Sequence, residues 1–207
     1  MAIENLSQLN EMHIDVLKEI GNIGAGNAAT SLSQMLNREV DMVTPIVRIL
    51  DISEADRALG GPETPVVAIL VELGGDIGGI MMFVIEQEFT QSLLEALLGE
   101  SKANCTELTE MEYSALSEIG NIMIGSYAAS IAALSNLEIK ISVPAVTVDM
   151  AGALLTVPAA EMGAVSDKII FIEDDFLSAS KTISANMMLI PDIASLNKLM
   201  NSLGIQL

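Results

Sequence analysis

The chain has 207 residues, 51% of them hydrophobic, and a mean hydropathy of +0.50, which is enough apolar material for one substantial core or for two halves sharing one. A formal charge of −19, from 28 acidic and 9 basic residues, repels phosphate backbones and anionic lipid; this argues against nucleic acid and membrane surfaces and for a protein partner. One histidine, one cysteine and no tryptophan exclude Cys/His zinc sites and disfavour Ser-His-Asp or Cys-His nucleophiles, so carboxylates, amides and hydroxyls are left to carry any chemistry.

The chain opens MAIENLSQLNE, without the basic and apolar segments of an export signal. The longest apolar stretch, 77–85, contains two glycines and falls far short of the roughly 18–20 residues that a bilayer span needs. A cytoplasmic location without membrane insertion is therefore expected, and the lone Cys105, which has no internal disulfide partner, agrees with it. Met12, Val16, Ile20 and Ile23 recur at three- and four-residue spacing and predict a first long helix with one buried stripe. Segments rich in β-branched residues at 39–50, 66–73 and 79–85 predict strands, with Gly60-Gly61, Pro62, Pro65 and Gly74-Gly75 marking turns. After a connector at 99–106, Thr109-Glu110-Met111-Glu112 forms a capping-box pattern in which threonine and glutamate each satisfy an end amide. A second helix follows, with Met111, Ala115, Ile119 and Ile122 on its stripe, and then strands at 138–150 and 169–172.

The two halves are copies. DVLKEIGNIGAGNAATSLSQMLNREVDMVTPIV from Asp15 aligns without a gap on SALSEIGNIMIGSYAASIAALSNLEIKISVPAV from Ser114. Weaker echoes follow, MMFV at Met81 with MMLI at Met187, and LLEALLG at Leu93 with KLMNSLG at Lys198. The expected fold is a mixed α/β domain of the α+β class. It is a pseudo-symmetric duplication of a helix-strand unit, repeat 1 at 8–100 and repeat 2 at 107–207, in a single domain over 1–207. One continuous, largely antiparallel sheet would carry the two long helices on one face. A monomer is expected, because the duplication already supplies the symmetry a dimer would provide.

At about 100° per residue, Asp15, Glu19, Asn22 and Gly26 fall in one stripe beside the apolar one, and Ser114, Glu118, Asn121 and Gly125 do the same. A glutamate and an asparagine one turn apart can project together toward a partner, with a glycine below them that lets its backbone come close. A solvated helix face, or retention after a recent duplication, is the bland alternative; packing accounts for the shared isoleucines and glycines but not for an acid and an amide recurring together on the polar edge. Gly24-Ala25-Gly26-Asn27-Ala28-Ala29 imitates a dinucleotide turn but lies inside a helical pattern. The run Glu173-Asp174-Asp175 lacks the ligand spacing of an EF-hand and reads as a solvated turn, so no intrinsic metal or cofactor is expected.

Each helix thus fits D/S-x-x-x-E-x-x-N, followed at the same interval by Pro45 or Pro144. This pattern, with the strings EIGNIGAGNAAT and EIGNIMIGSY, resembles the CheC, CheX and FliY family of CheY-phosphate phosphatases over nearly the whole chain. The resemblance implies hydrolysis of the aspartyl phosphate of the response regulator CheY, whose own Mg2+ is the only metal involved. It implies that Asn22 and Asn121 orient the attacking water and that Glu19 and Glu118 pair with a lysine of the receiver. Asp15 and Ser114 would sit at the docking edge, while Pro45 and Pro144 would shape the strand entry behind each site. It also implies a second partner, the receptor deamidase CheD, with Asp149 in Val148-Asp149-Met150-Ala151-Gly152-Ala153 as the contact and one such site per chain. Two rival readings are a non-catalytic scaffold of the flagellar-switch type that binds CheY or CheD, and a carboxylate-based enzyme acting on a small molecule, for which there is no second motif.

Overall fold

The computed structural model describes residues 3–99, 108–162, 168–178 and 181–205; the connector expected at 99–106 lies almost wholly outside them. A 3-10 turn, Leu6–Gln8, leads into α1 (Glu11–Leu36), β1 (Asp41–Met42), β2 (Ile46–Asp51), α2 (Ile52–Ala58), β3 (Pro65–Gly75), β4 (Gly79–Glu86) and α3 (Gln87–Leu98). The second half runs α4 (Glu110–Ser135), β5 (Ile139–Ile141), β6 (Ala145–Met150), α5 (Ala151–Leu154), α6 (Thr156–Met162), β7 (Lys168–Ser178), β8 (Lys181–Pro191) and α7 (Ile193–Ser202).

Both long helices have 26 residues and a capping box. The expected one, Thr109 with Glu112, is present: Glu112 N–H donates to Thr109 Oγ1 at 3.3 Å and Thr109 N–H to Glu112 Oε2 at 2.8 Å. The first helix has its equivalent, missed in the sequence because histidine stands in for the glutamate: Asn10 N–H donates to His13 Nδ1 at 3.0 Å and His13 N–H to Asn10 Oδ1 at 3.2 Å. Each helix ends on a left-handed asparagine, Asn37 or Asn136, a residue that tolerates this conformation. The buried stripe differs from the expected one. It runs through His13, Leu17, Ile20, Gly24 and Ala28, whereas Met12 and Met111 are 62% and 67% exposed, because the capping residues, one position on, turn inward in their place.

Among the described residues, eight strands form one antiparallel sheet ordered β1-β7-β8-β4-β3-β5, with β2 also on β7 and β6 also on β3. The halves are therefore interleaved: the edge strands of each pair with the hairpin of the other. Side chains alternate across the sheet. Val67, Ile69, Val71, Met81, Phe83, Ile170, Ile172 and Met187 face the core under α1, α3, α4 and α7; Val66, Ala68, Met82, Val84, Phe171 and Met188 face a smaller core that includes Ala55 and Leu59 at α2 and Ala151 and Leu154 of α5. The hydrogen-bond register corrects the echo between MMFV and MMLI. Ile172 pairs with Val47 and Met187, while Ile69 pairs with Val146 and Phe83, so Met187 matches Phe83, two residues from the apparent alignment but on the same face. The expected turns are met at Gly60 and Gly61, which have positive φ, but Gly74-Gly75 closes β3 and the turn proper begins at Asp76.

The run Glu173-Asp174-Asp175 is strand and not a solvated turn. Asp174 is 2% exposed and receives the Tyr127 hydroxyl at 2.5 Å, while its other oxygen is buried without a partner. Burial pushes the Asp174 carboxyl up to about 7, helped by neighbouring Asp175 and opposed by the Tyr127 hydrogen bond; burial, with Asp174 second, also raises the Tyr127 phenol. The Tyr127 ring fills the seam between α1 and α4 beside Gly24, where a Cβ would come within 2.6 Å of it. A Cβ at Gly120 would run into Ile69, whereas one at Gly21 would rest 3.4 Å from Val47 and 3.5 Å from Ile172.

Gly24→Ala and Gly120→Ala are each expected to destabilise by about 1–3 kcal/mol through overpacking, while Gly21→Ala stays near neutral or stabilises by up to about 1 kcal/mol through helix propensity; urea unfolding of the three variants checks this. Between pH about 4 and 7 the folded chain holds a proton on Asp174 that the unfolded chain has released, so this group's contribution is full below about pH 4 and is lost as pH rises through about 7, a change on the order of 4 kcal/mol. His13, whose burial lowers its pKa below 6.5, acts in the opposite sense on acidification. Asp174→Asn accepts the same hydroxyl without ionising, so the wild-type-minus-variant stability should fall across this window; a flat difference in urea midpoints between pH 4 and 8 would contradict the assignment.

Candidate active site

On α1, Asp15, Glu19 and Asn22 are exposed and Gly26 is half-buried; on α4, Ser114, Glu118 and Asn121 are exposed and Gly125 is half-buried. Each set lies along one edge of its helix beside the buried stripe, as the periodicity requires. The helices cross further along, where Gly24 meets Tyr127 and Asn27 Nδ2 lies 3.4 Å from Ser130 Oγ. Both Glu/Asn pairs thus stand on the N-terminal side of the crossing. Among the described residues, the side chains of Glu19, Asn22, Glu118 and Asn121 make no hydrogen bond or ion pair within the chain, whereas Asp15 is paired with Lys18 at 2.9 Å.

Pro45 is buried directly ahead of β2, its ring 3.7 Å from the position a Cβ of Gly21 would take; Pro144 is half-buried ahead of β6. Both immediately precede their strands and neither lies on the exposed stripe. The glycines of the stripe differ from those of the seam. Among the described residues a Cβ at Gly26 would meet only Met42 Sδ at 3.8 Å, and one at Gly125 only Ile141 at 4.0 Å, so packing there does not require a missing side chain at either position. Exposed apolar side chains also stand on the motif helices themselves, Met12 near the start of the first and Met111 and Tyr113 near the start of the second, while Val143, 87% exposed, lies in the segment ahead of β6. Sequence periodicity had assigned Met12 and Met111 to the core, and nothing in the local pattern marks Val143 as surface. Asp149 is exposed near the end of edge strand β6, its Oδ1 accepting the Met150 N–H at 2.8 Å. It stands apart from both stripes.

The model of the "CheC-like family" matches residues 12–49 and 111–148, the helix and edge strands of each repeat. Over 203 residues the chain is 34% identical to "CheY-P phosphatase CheC" of Bacillus subtilis, covering 96% of this chain and 97% of that protein. The chain belongs to the CheC-like family. The chain is also 37% identical to the "Flagellar motor switch phosphatase FliY" of Bacillus subtilis over 70% of this chain and 38% of that protein. The crystal structure of Thermotoga maritima FliY superposes with a TM-score of 0.75 at 24% identity, covering 96% of this chain and all of that one. The curled antiparallel sheet with both motif helices on one face is thus the fold of the CheC-like family. Among the described residues no helix is long and apolar enough to cross a membrane.

Because no described atom comes closer than 3.8 Å to a Cβ at Gly26 or Gly125, Gly26→Ala and Gly125→Ala are expected to be near neutral or to stabilise by up to about 1 kcal/mol through helix propensity in urea unfolding, unlike changes at Gly24 or Gly120.

Proposed function

We propose that this protein is a phosphatase that hydrolyses the aspartyl phosphate of CheY at two similar sites, one on α1 and one on α4. One observation carries the reading. In both copies a glutamate and an asparagine stand exposed one turn apart, free of partners among the described residues, above a glycine whose bareness serves no contact there. Such a pair is available to another molecule, and Met12, Met111 and Tyr113 on the same helices supply apolar area for a protein to bury. The curated relatives named as CheY-P phosphatases support this choice of partner.

Hydrolysis of an acyl phosphate asks chiefly for a water held in line with the breaking bond. Asn22 or Asn121 enters the receiver's site, where its amide oxygen accepts a hydrogen bond from that water and aims the lone pair at phosphorus. Glu19 or Glu118 makes a charge-assisted contact with the receiver's lysine and fixes the register. Mg2+ and the phosphorylated aspartate belong to CheY, and no covalent intermediate forms on this chain. Asp15 and Ser114 flank the docking edge. The protein acts in the cytoplasm as a monomer. CheD is the second partner, recognised through Asp149 at the margin of β6 and α5; the matching position in the first repeat is the half-buried Leu50, which leaves one such site per chain. Asp149→Arg is expected to abolish capture of CheD without altering CheY binding.

The deciding experiment follows decay of phosphorylated CheY with catalytic amounts of the protein. Wild type accelerates decay, Asn22→Ala and Asn121→Ala each lose one site's share, and the double variant loses about 100-fold or more. If wild type has no effect while still binding CheY, the chain is a scaffold of the flagellar-switch type and the catalytic reading fails.

A further inference from the structure

The face of the sheet turned away from α1 and α4 carries a polar groove of about 410 Å3, within the size range of small-ligand sites. Glu173 pairs with Asn186 and Asp175 with Ser184 across β7 and β8, so these four side chains share that face; Arg48 of β2 and Glu86 at the end of β4 add their charges to a lining whose rest is mainly small or apolar, Val43, Ile46 and Ala58 among it. Its charges are largely organised already. Arg48 holds Glu173 through both guanidinium nitrogens, Nη1 to Oε1 and Nη2 to Oε2, each at 3.2 Å. Ser184 Oγ donates to Asp175 Oδ1 at 2.6 Å.

Asn186 is the anomaly. It is 6% exposed and lines the groove, yet its side-chain amide has no hydrogen-bond partner among the described residues. Neither polar atom of its amide is sealed from solvent, so the amide opens onto the groove, where a ligand can reach it. The fold does not impose an amide here: by the register that equates Met187 with Phe83 and Ile172 with Ile69, Asn186 corresponds to Met82 and Glu173 to Leu70, so the other half keeps this place apolar. Only one half of a symmetric sheet has become polar here.

We propose that this groove binds a guanidinium group. Three carboxylates face one guanidinium that is already engaged bidentately, so the unused capacity is acceptor-rich: both oxygens of Glu86, Oδ2 of Asp175 and the amide oxygen of Asn186. A second planar fork of N–H donors satisfies several separated acceptors at once, where a compact ammonium reaches fewer. The strongly acidic chain draws such a cation in from solution. The group can arrive on a free arginine-like molecule or on an arginine side chain of another protein, and neither source involves the Glu/Asn stripes on the opposite face.

The test is a titration of the isotope-labelled full chain, followed by NMR at low ionic strength, with argininamide, with the blocked tripeptide Gly-Arg-Gly and with the blocked tripeptide Gly-Glu-Gly. The Asn186 side-chain amide and the Arg48 Nε–H are expected to shift saturably with the arginine-bearing probes and not with the glutamate peptide. Saturation with argininamide alone assigns a free small molecule, and saturation that needs the tripeptide assigns a polypeptide. Asn186→Leu, which restores the apolar character of the other half, weakens binding at least tenfold; the surface double variant Glu86→Gln with Asp175→Asn does the same should Asn186→Leu fold poorly. Equal affinity in wild type and a folded variant, a comparable response to the glutamate peptide, or no shift with either arginine probe overturns the proposal.

Discussion

Everything in this molecule depends on the exchange of edge strands between its two halves. Because β2 pairs with β7 and β6 with β3, neither half owns a complete sheet, and each motif helix rests partly on strands of the other. Gly21 of α1 lies over Val47 from its own repeat and Ile172 from the second, while Gly120 of α4 lies against Ile69 of the first. The Glu/Asn stripe on each helix is therefore aimed by a platform assembled from both halves.

The exterior of this arrangement is far more symmetric than its interior. Both helices present a glutamate, an asparagine and an unneeded glycine in the same order. Between them, however, Tyr127 crosses the seam over Gly24 to reach Asp174, and the matching positions in the other repeat are Ala28 and Val71, both buried and apolar. A large aromatic with its polar end satisfied on a carboxyl locks the helices at one setting, and symmetry cannot supply a second copy because the two would compete for one volume. The difference that the sequence displayed as Gly24-Ala25 against Met123-Ile124 is therefore a matter of filling this seam.

Much of the fold was legible before any coordinates. The repeat, the two helices, most strands and one capping box follow from periodicity and punctuation, since these are local signals. What escaped depended on distant partners. The capping histidine looks like an isolated titratable group until Asn10 is placed beside it, and Met12 and Met111 carry the right spacing for a core stripe that geometry shifts by one residue. Asp174 sits in an acidic run that reads as surface, yet strand alternation sends it inward while Glu173 and Asp175 go out. At the candidate site the stripe and its residue types were readable; whether each glycine serves packing or approach was not, because that depends on atoms from the opposite repeat. Gly24 and Gly26 are near neighbours in sequence and differ completely in this respect.

The interleaving also sets an order of events when the chain is made. The ribosome releases β2 long before β7 exists, so the nascent first half must wait with an unsatisfied strand edge, and its hairpin β3–β4 likewise lacks β6. Such an edge accepts any chain that offers the matching strand, and the β7 of a neighbouring copy offers the same sequence as its own. Slow or interrupted synthesis therefore favours intertwined pairs in which two copies complete each other's sheets, so the yield of correctly closed single chains should rise with faster elongation and with dilution.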